Sequence, residues 1–182
     1  HELRTPLTLI SSPVNEVLEN EDLSATAREH LTVVQKNAER MLRLMNQILD
    51  FRKIQNKKMK MQVQRVDIVP FVRKVMDNFE AVAEEHRIDF LFETEKQHLF
   101  LWVDVDKLEK IVFNLLSNAF KYTDNGKSIT VTLKEENNWL ILQVSDTGAG
   151  IPINKQGKVF ERFYQIESQH IGSGIGLSLV QR

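Results

Sequence analysis

Asn114, Asn118 and Lys121 recur one helical turn apart in the stretch DVDKLEKIVFNLLSNAFKYT, residues 104–123. Asn is a mediocre helix former, so two in mid-helix carry a local cost. By itself such a stripe is a solvated face. Downstream glycines change that reading. Asp146-Thr-Gly-Ala-Gly-Ile places two glycines one residue apart after a strand-like run, and Ile171-Gly-Ser-Gly-Ile-Gly-Leu alternates three before apolar, helix-like spacing resumes. Glycine permits φ > 0 and close approach of a ligand to the backbone. A Gly-rich turn feeding a helix N-terminus offers unpaired N–H groups and a favourable dipole to an anion. Either run alone would mark a turn. Both runs, combined with an Asn/Lys helix face and a histidine followed by a carboxylate at His1-Glu2, point to phosphate chemistry.

The elements that must hold these residues follow from periodicity. Leu108, Ile111, Val112, Leu115, Leu116 and Ala119 form one apolar face, so residues 104–123 are predicted as a helix, capped by Asp104 or Asp106. Near the start, Leu3, Leu7, Ile10, Val14 and Val17 form a heptad seam. Residues 19–25 break it, and a second seam follows at Leu31, Val34, Ala38, Met41, Met45 and Ile48, widened by Leu42 and Leu49. Two such helices make a hairpin, and pairing two hairpins into a four-helix bundle covers both stripes. A homodimer through residues 1–57 is therefore expected, with a monomeric hairpin packed on the remainder as the alternative.

Residues 55–60 turn basic and read as a linker. Beyond it, Met61–Val66 is predicted as a strand, and Asp67 as the cap of a helix running to about His86. Ile88–Thr94, Phe100–Val103, Ser128–Lys134 and Trp139–Val144 are further strands, the last two forming a hairpin. Helices against a mostly antiparallel sheet make an α+β two-layer sandwich.

Composition bounds the rest. The 182 residues are 42% hydrophobic and 27% charged, with a formal net charge of −1. That balance gives no basic field for nucleic acid or an anionic membrane. Absence of Cys excludes a disulfide framework and thiolate metal sites. No apolar run approaches membrane-spanning length, and no signal peptide is visible.

HELRTPL, NLLSNAFKYT, DTGAGI, FERFYQ and GSGIGL resemble the H, N, G1, F and G2 boxes of a sensor histidine kinase, in the family's order. The second half, with DIVPFV, LWVD and GSGIGL, is similar to hybrid two-component sensors of Bacteroides-type bacteria. The resemblance implies a dimerisation and histidine-phosphotransfer domain over 1–57 and a catalytic ATP-binding domain over 61–182. The second would have the ATP-binding fold of gyrase, a heat-shock chaperone and mismatch-repair ATPases. It also implies that both domains are truncated at their outer ends, and that the chain is the cytoplasmic portion of an inner-membrane sensor.

On that resemblance His1 is the phosphoryl acceptor. In the heptad frame it lies off the seam, and a neutral imidazole, with pKa about 6.5, is nucleophilic at one nitrogen. A neighbouring carboxylate can hold the proton on the other nitrogen; Glu2 is the family's candidate. Thr5, one turn on, could position water for the reverse reaction. Asp146 matches the carboxylate that reads adenine, with Gly148, Gly150 and Ile151 beside the purine. Asn118 matches the Mg²⁺ ligand, and one amide oxygen suffices for a hard ion that keeps several waters. Asn114, Lys121, Tyr122 and Arg162 are implied on the nucleotide, while Gly172, Gly174, Gly176 and Leu177 border phosphates and lid. Phe160 and Phe163 are expected as apolar anchors of a lid over residues 164–172. ATP and Mg²⁺ are the implied cofactors, and an aspartate of a receiver domain the onward acceptor. A dimer that holds nucleotide without kinase activity is the alternative. A hydrolytic clamp of the gyrase type would have no use for HELRTP.

Overall fold

The computed structural model describes residues 4–20, 22–55, 60–165 and 174–181. The chain divides into two compact units, His1–Met59 and Lys60–Arg182.

The first unit is a hairpin of α1 (Arg4–Asn20) and α2 (Ala25–Gln55). Ser24 Oγ accepts from the Ala27 N–H at 3.2 Å and so caps α2. Arg28 Nη1 donates to the Leu18 carbonyl at 2.9 Å, and Gln35 Nε2 donates to Asn15 Oδ1 at 2.9 Å. These bonds fix the register of one helix on the other. Leu7, Val14 and Leu18 are half-buried, as are Leu31, Leu42 and Met45 around a buried Ala38. The second heptad seam does not stay on one side of the hairpin. Val34, Met41 and Ile48 remain 42%, 55% and 46% exposed, because α1 can cover only one flank of α2. Pro13 lies inside α1 and deprives the Leu9 carbonyl of its helical donor.

The second unit opens with β1 (Val63–Asp67), whose last residue caps α3 (Ile68–Met76) through the Val69 N–H. The single helix expected to run to His86 is broken. A 3₁₀ turn at Asp77–Phe79 separates α3 from α4 (Glu80–His86). Asn78 Nδ2 bonds back to the Lys74 and Val75 carbonyls at 3.2 and 3.0 Å, competing with the helical ladder. The break turns Phe79 into the core, 4.9 Å from Phe113 and 5.2 Å from Phe120, centroid to centroid.

β2 (Asp89–Thr94), β3 (Phe100–Asp104), α5 (Val105–Tyr122), β4 (Ser128–Glu136) and β5 (Trp139–Asp146) follow, then the short helices α6 (Ile153–Gln156) and α7 (Gly176–Val180). The strands do not form one mostly antiparallel sheet. β1 and β3 pair antiparallel as a separate ribbon, while β2, β4 and β5 form a sheet in which β2 and β4 run parallel. Two bonds draw β3 to β1: the Ile68 N–H donates to the Leu99 carbonyl at 2.8 Å, and the Leu99 N–H donates to Asp67 Oδ1 at 3.0 Å. The β4–β5 hairpin turns through Asn137 and Asn138, both at positive φ, as a two-residue primed turn requires.

Asp104, not Asp106, caps α5, accepting from the Lys107 N–H at 3.2 Å. The Gln62 N–H, at 2.8 Å, and the Lys107 side chain complete its shell. Those donors hold the Asp104 carboxyl at about 2, below its ordinary 3.8. Val112, Leu116 and Ala119 are the fully buried residues of α5 and pack with Ile68, Val72, Val75, Ile129, Val131 and Leu133 from α3 and the sheet. Burial of this stripe fixes the rotation of α5, and therefore the direction its Asn/Lys face must take.

Candidate functional site

Two separate stretches of the chain meet along α5, and a third is fastened to one of them. The first is the turn after β5. Its ladder ends with Asp146 opposite Ile129. The Gly148 N–H then donates to Asp146 Oδ1 at 2.9 Å, and the Ala149 N–H reaches the Tyr122 carbonyl, the last of α5, at 3.3 Å. The approach is so close that a Cβ on Gly148 would lie 2.1 Å from the Tyr122 oxygen and 2.8 Å from Asp146 Oδ1. Gly148 is therefore required by packing. Gly150 is required by backbone conformation instead: its φ is +69° and nothing lies within 4 Å of where a Cβ would be. One Asp146 oxygen is thus committed to the turn, while the residue as a whole is exposed.

The second stretch is the start of α7. A Cβ on Gly176 would sit 3.3 Å from Asn114 Oδ1, so this glycine lets the helix terminus approach the carboxamide. Ser178 is buried and donates to the Ile175 carbonyl at 2.7 Å. The third stretch is fastened to the second. The Phe163 N–H donates to the Gly174 carbonyl at 2.9 Å, with both residues at positive φ, 60° and 65°. A Cβ on Gly174 would lie 2.6 Å from the Phe163 carbonyl carbon. Backbone, rather than aromatic burial, fastens this junction. The two Phe rings do not act as buried anchors among the described residues: Phe160 is 42% and Phe163 69% exposed.

On α5 itself Asn114 and Asn118 are half-buried, and among the described residues neither carboxamide forms a hydrogen bond. Half-buried amides on a helix ordinarily find partners; two left open on one face suit a ligand rich in oxygen or a hydrated cation. Lys121 does not extend from the face. Its ammonium lies 4.7 Å from the centroid of the Tyr122 ring and 2.9 Å from the Tyr122 hydroxyl. Thr123, directly after α5, buries an Oγ1 without a hydrogen-bond partner among the described residues. Ile151 and Arg162 are exposed, and Leu177 is half-buried in α7. His1, Glu2 and Gly172 lie outside the described residues, as does most of the expected lid. Thr5 is described only as part of α1.

Sequence reasoning overlooked Thr147. Its hydroxyl accepts from the Ser128 N–H at 3.0 Å while its own N–H donates to the Ser128 carbonyl at 3.1 Å. A hydroxyl residue between the last strand residue and a glycine was the available signal. The remaining charged cluster near a strand end is structural: Asp67 accepts from Leu99, His98 and Val69, and the first two hold its carboxyl below the ordinary range. A shallow depression of about 480 Å³ between α4 and β2, lined by Glu80, Glu84, Arg87 and Phe90 among others, shares no residue with the Asn/Gly assembly.

Known proteins match both units. Residues 1–57 match the family described as the His Kinase A (phospho-acceptor) domain. Residues 103–182 match the histidine kinase-, DNA gyrase B- and HSP90-like ATPase family. Histidine kinase P4 of Formosa agariphila is 34% identical over 188 residues, covering 100% of this chain and 14% of the relative. Sensor histidine kinase WalK of Bacillus subtilis is 34% identical over 191 residues, covering 100% of this chain and 31% of that protein. Among solved structures, full-length ShkA in complex with AMPPNP superposes with a TM-score of 0.82 at 27% identity, over 100% of this chain and 38% of ShkA. The chain thus spans less than a third of the length of these two curated relatives.

Proposed function

The chain belongs to the histidine kinase family, and from that membership and the open asparagine face of α5 we propose that it is the ATP-dependent autokinase core of a two-component signalling protein. His1 accepts the γ-phosphoryl group, and an aspartate of a receiver domain takes it onward. The observation that carries this reading is the convergence of two glycine-bearing stretches on α5. Tyr122, which seats the turn after Asp146, and Asn114, which abuts Gly176, are eight residues apart in one helix. At 1.5 Å per residue that is about 12 Å, a length suited to a nucleoside triphosphate laid along the helix.

ATP then lies with its base at Asp146 and its phosphates toward Asn114, Asn118 and Gly176. The Asp146 oxygen not engaged by Gly148 accepts from the exocyclic amine. Asn118 offers an amide oxygen to Mg²⁺, and bound Mg²⁺ supplies charge neutralisation of the phosphates. Lys121 swings from the Tyr122 ring toward phosphate, exchanging one cation contact for another. Gly150 leaves open space beside the base. Phosphoryl transfer needs positioning and neutralised charge more than covalent help, and these residues supply that and nothing more. ShkA, which was solved with AMPPNP, gives independent support for a nucleotide.

The hairpin acts as a dimer. Leu9, Ile10, Val34, Met41 and Ile48 are exposed in the single chain, and a second hairpin buries such a stripe as a four-helix bundle. His1 and Glu2 are the acceptor and its orienting carboxylate, with Thr5, four residues on in the sequence, to hold water for dephosphorylation. In the whole protein this piece would face the cytoplasm below an inner-membrane sensor.

Incubation of the intact protein with γ-labelled ATP and Mg²⁺ tests the reading. The expected product is an acid-labile, base-stable label, absent from His1→Gln although nucleotide affinity is retained. Nucleotide binding with no label in the wild type would instead identify a binding module.

A further inference from the structure

We infer that Thr147 is a positioning residue for base recognition: its hydroxyl fixes the direction in which Asp146 presents its carboxylate, and so contributes to the choice of adenine over guanine. This rests on the reading of Asp146 as the base-contacting residue.

Asp146 is the last residue of β5 in the ladder with β4, so its backbone is held on one side only by the ordinary strand pairing. One residue later the chain leaves the sheet. What prolongs the pairing is Thr147, by two routes. Its N–H continues the ladder to the Ser128 carbonyl at 3.1 Å. On β4, the Ser128 N–H needs an acceptor that the departing β5 backbone does not provide. The Thr147 hydroxyl takes that place at 3.0 Å, a side chain standing in for a ladder carbonyl. The hydroxyl also lies 3.3 Å from the Ser128 carbonyl and 3.4 Å from the Ser128 hydroxyl, which confines its rotamer. Ser128 is in turn paired with Asp89 across β2, and the Asp89 N–H donates to the neighbouring Lys127 carbonyl at 2.9 Å. The end of all three strands is thereby tied at one level.

Asp146 is then held by the two residues that follow it. Thr147 sets the backbone direction, and the Gly148 N–H at 2.9 Å sets the side-chain rotamer. Only one carboxylate oxygen is left, and its direction decides what it can read. An oxygen accepts from the 6-amino group of adenine and repels the 6-oxo group of guanine. Such discrimination depends on a fixed direction, because a carboxylate free to swing can turn away from the wrong base. Thr147 itself points to the sheet end, so its effect passes through Asp146.

The test is the ratio of affinities for ATP and GTP, measured by competition with Mg²⁺ on the intact protein. Thr147→Val keeps the shape and removes the hydroxyl. It is expected to weaken ATP binding about tenfold while GTP changes less than about twofold, so the ratio collapses. Thr147→Ser restores the hydroxyl and should return the ratio to within about twofold of wild type. Were the role merely structural, both nucleotides would weaken together. An equal loss for both, or no loss in Thr147→Val, overturns the inference. If the valine variant does not fold, Thr147→Ala is measured against the same two outcomes. Asp146→Asn run in parallel separates the two levels. It places an amine donor opposite the adenine amine, so an unchanged ratio there refutes the assignment of Asp146 itself. A collapsed ratio in Asp146→Asn with an unchanged one in Thr147→Val refutes only the role of Thr147.

Discussion

Gly148→Ala is the sharpest test of the geometry around Asp146. The new methyl would start 2.1 Å from the Tyr122 carbonyl oxygen, and reaching even 3.0 Å, below which real Cβ atoms essentially never approach, requires a movement of 0.9 Å. The clash is with backbone at a helix end, so no side chain can rotate away. Overpacking of this kind costs about 1–3 kcal/mol. The Ala149–Tyr122 hydrogen bond, already 3.3 Å long, cannot survive such a shift, at a further cost of about 0.5–1.5 kcal/mol. The methyl also lies 2.8 Å from Asp146 Oδ1 and displaces the carboxylate from the Gly148 N–H. A hydrogen bond to a charged group contributes about 1.5–3 kcal/mol, and its loss here falls on the orientation of the oxygen proposed to contact the base. Affinity for ATP should therefore drop about ten- to hundredfold, with the thermal midpoint lowered by on the order of 10 °C. Two other glycines calibrate the result. Gly176→Ala meets only the Asn114 side chain, at 3.3 Å, and should lose less. Gly157→Ala meets nothing within 4 Å at an ordinary φ of −66° and should match wild type. Titration calorimetry and differential scanning calorimetry read both quantities. Wild-type affinity and midpoint in Gly148→Ala would refute the argument, as would equal losses at all three positions.

Three further expectations follow from the same geometry. Asn114→Glu places a carboxylate where a general base could activate water beside the γ-phosphate; measurable ATP binding, faster phosphate release and less label on His1 should result, and binding without extra phosphate release would clear Asn114 of suppressing hydrolysis. Asp104→Asn should lower the thermal midpoint at neutral pH. Because the folded carboxyl is depressed from 3.8 to about 2, the stability it confers is present above its unfolded value and is lost as pH falls through that window, so scans between pH 4 and 2 should be flatter in the variant than in wild type. Met41→Glu, at a position 55% exposed in the single hairpin, should shift sedimentation from dimer to monomer without unfolding α2; an unchanged dimer would mean that the stripe at Val34, Met41 and Ile48 is not the interface.

Much of the fold was legible because the signals were local. The stripe at Val112, Leu116 and Ala119 needed only a helical period, and a cap by Asp104 or Asp106 only an acidic residue near the helix start, the structure choosing Asp104. Strand positions were close for the same reason: β-branched and aromatic runs bounded by polar turns. Pairing was not legible. Nothing in Phe100–Asp104 says that it prefers β1 to the three-stranded sheet; the choice is made by bonds such as Ile68 to Leu99, between residues 31 positions apart. The broken helix at Asn78 was equally hidden, since an Asn that bonds back to Lys74 reads in sequence like any other helical Asn. In the hairpin, the periodicity showed a widened apolar seam on the second helix, but not which part of it α1 would cover.

The site divides along the same line. Residue types announced a nucleotide pocket, yet the glycines that announced it are not equivalent, and spacing could not rank them. Gly148 and Gly150 stand in the same motif, one excluded from carrying a side chain by the Tyr122 carbonyl and the other by its own φ in open space. Substitution at the first deforms the protein even without ligand, whereas at the second it strains the backbone and narrows the space a ligand enters. The same distinction separates Gly174, pressed on Phe163, from Gly176, which touches a movable carboxamide. A glycine motif therefore specifies two things at once: contacts the protein makes with itself to hold the site together, and room left for a ligand. α5 supplies the seat for both, at Tyr122 and at Asn114, and its rotation is set by the buried stripe on its opposite side. The chemistry of the asparagine face is in that sense a consequence of where Val112 and Leu116 are packed.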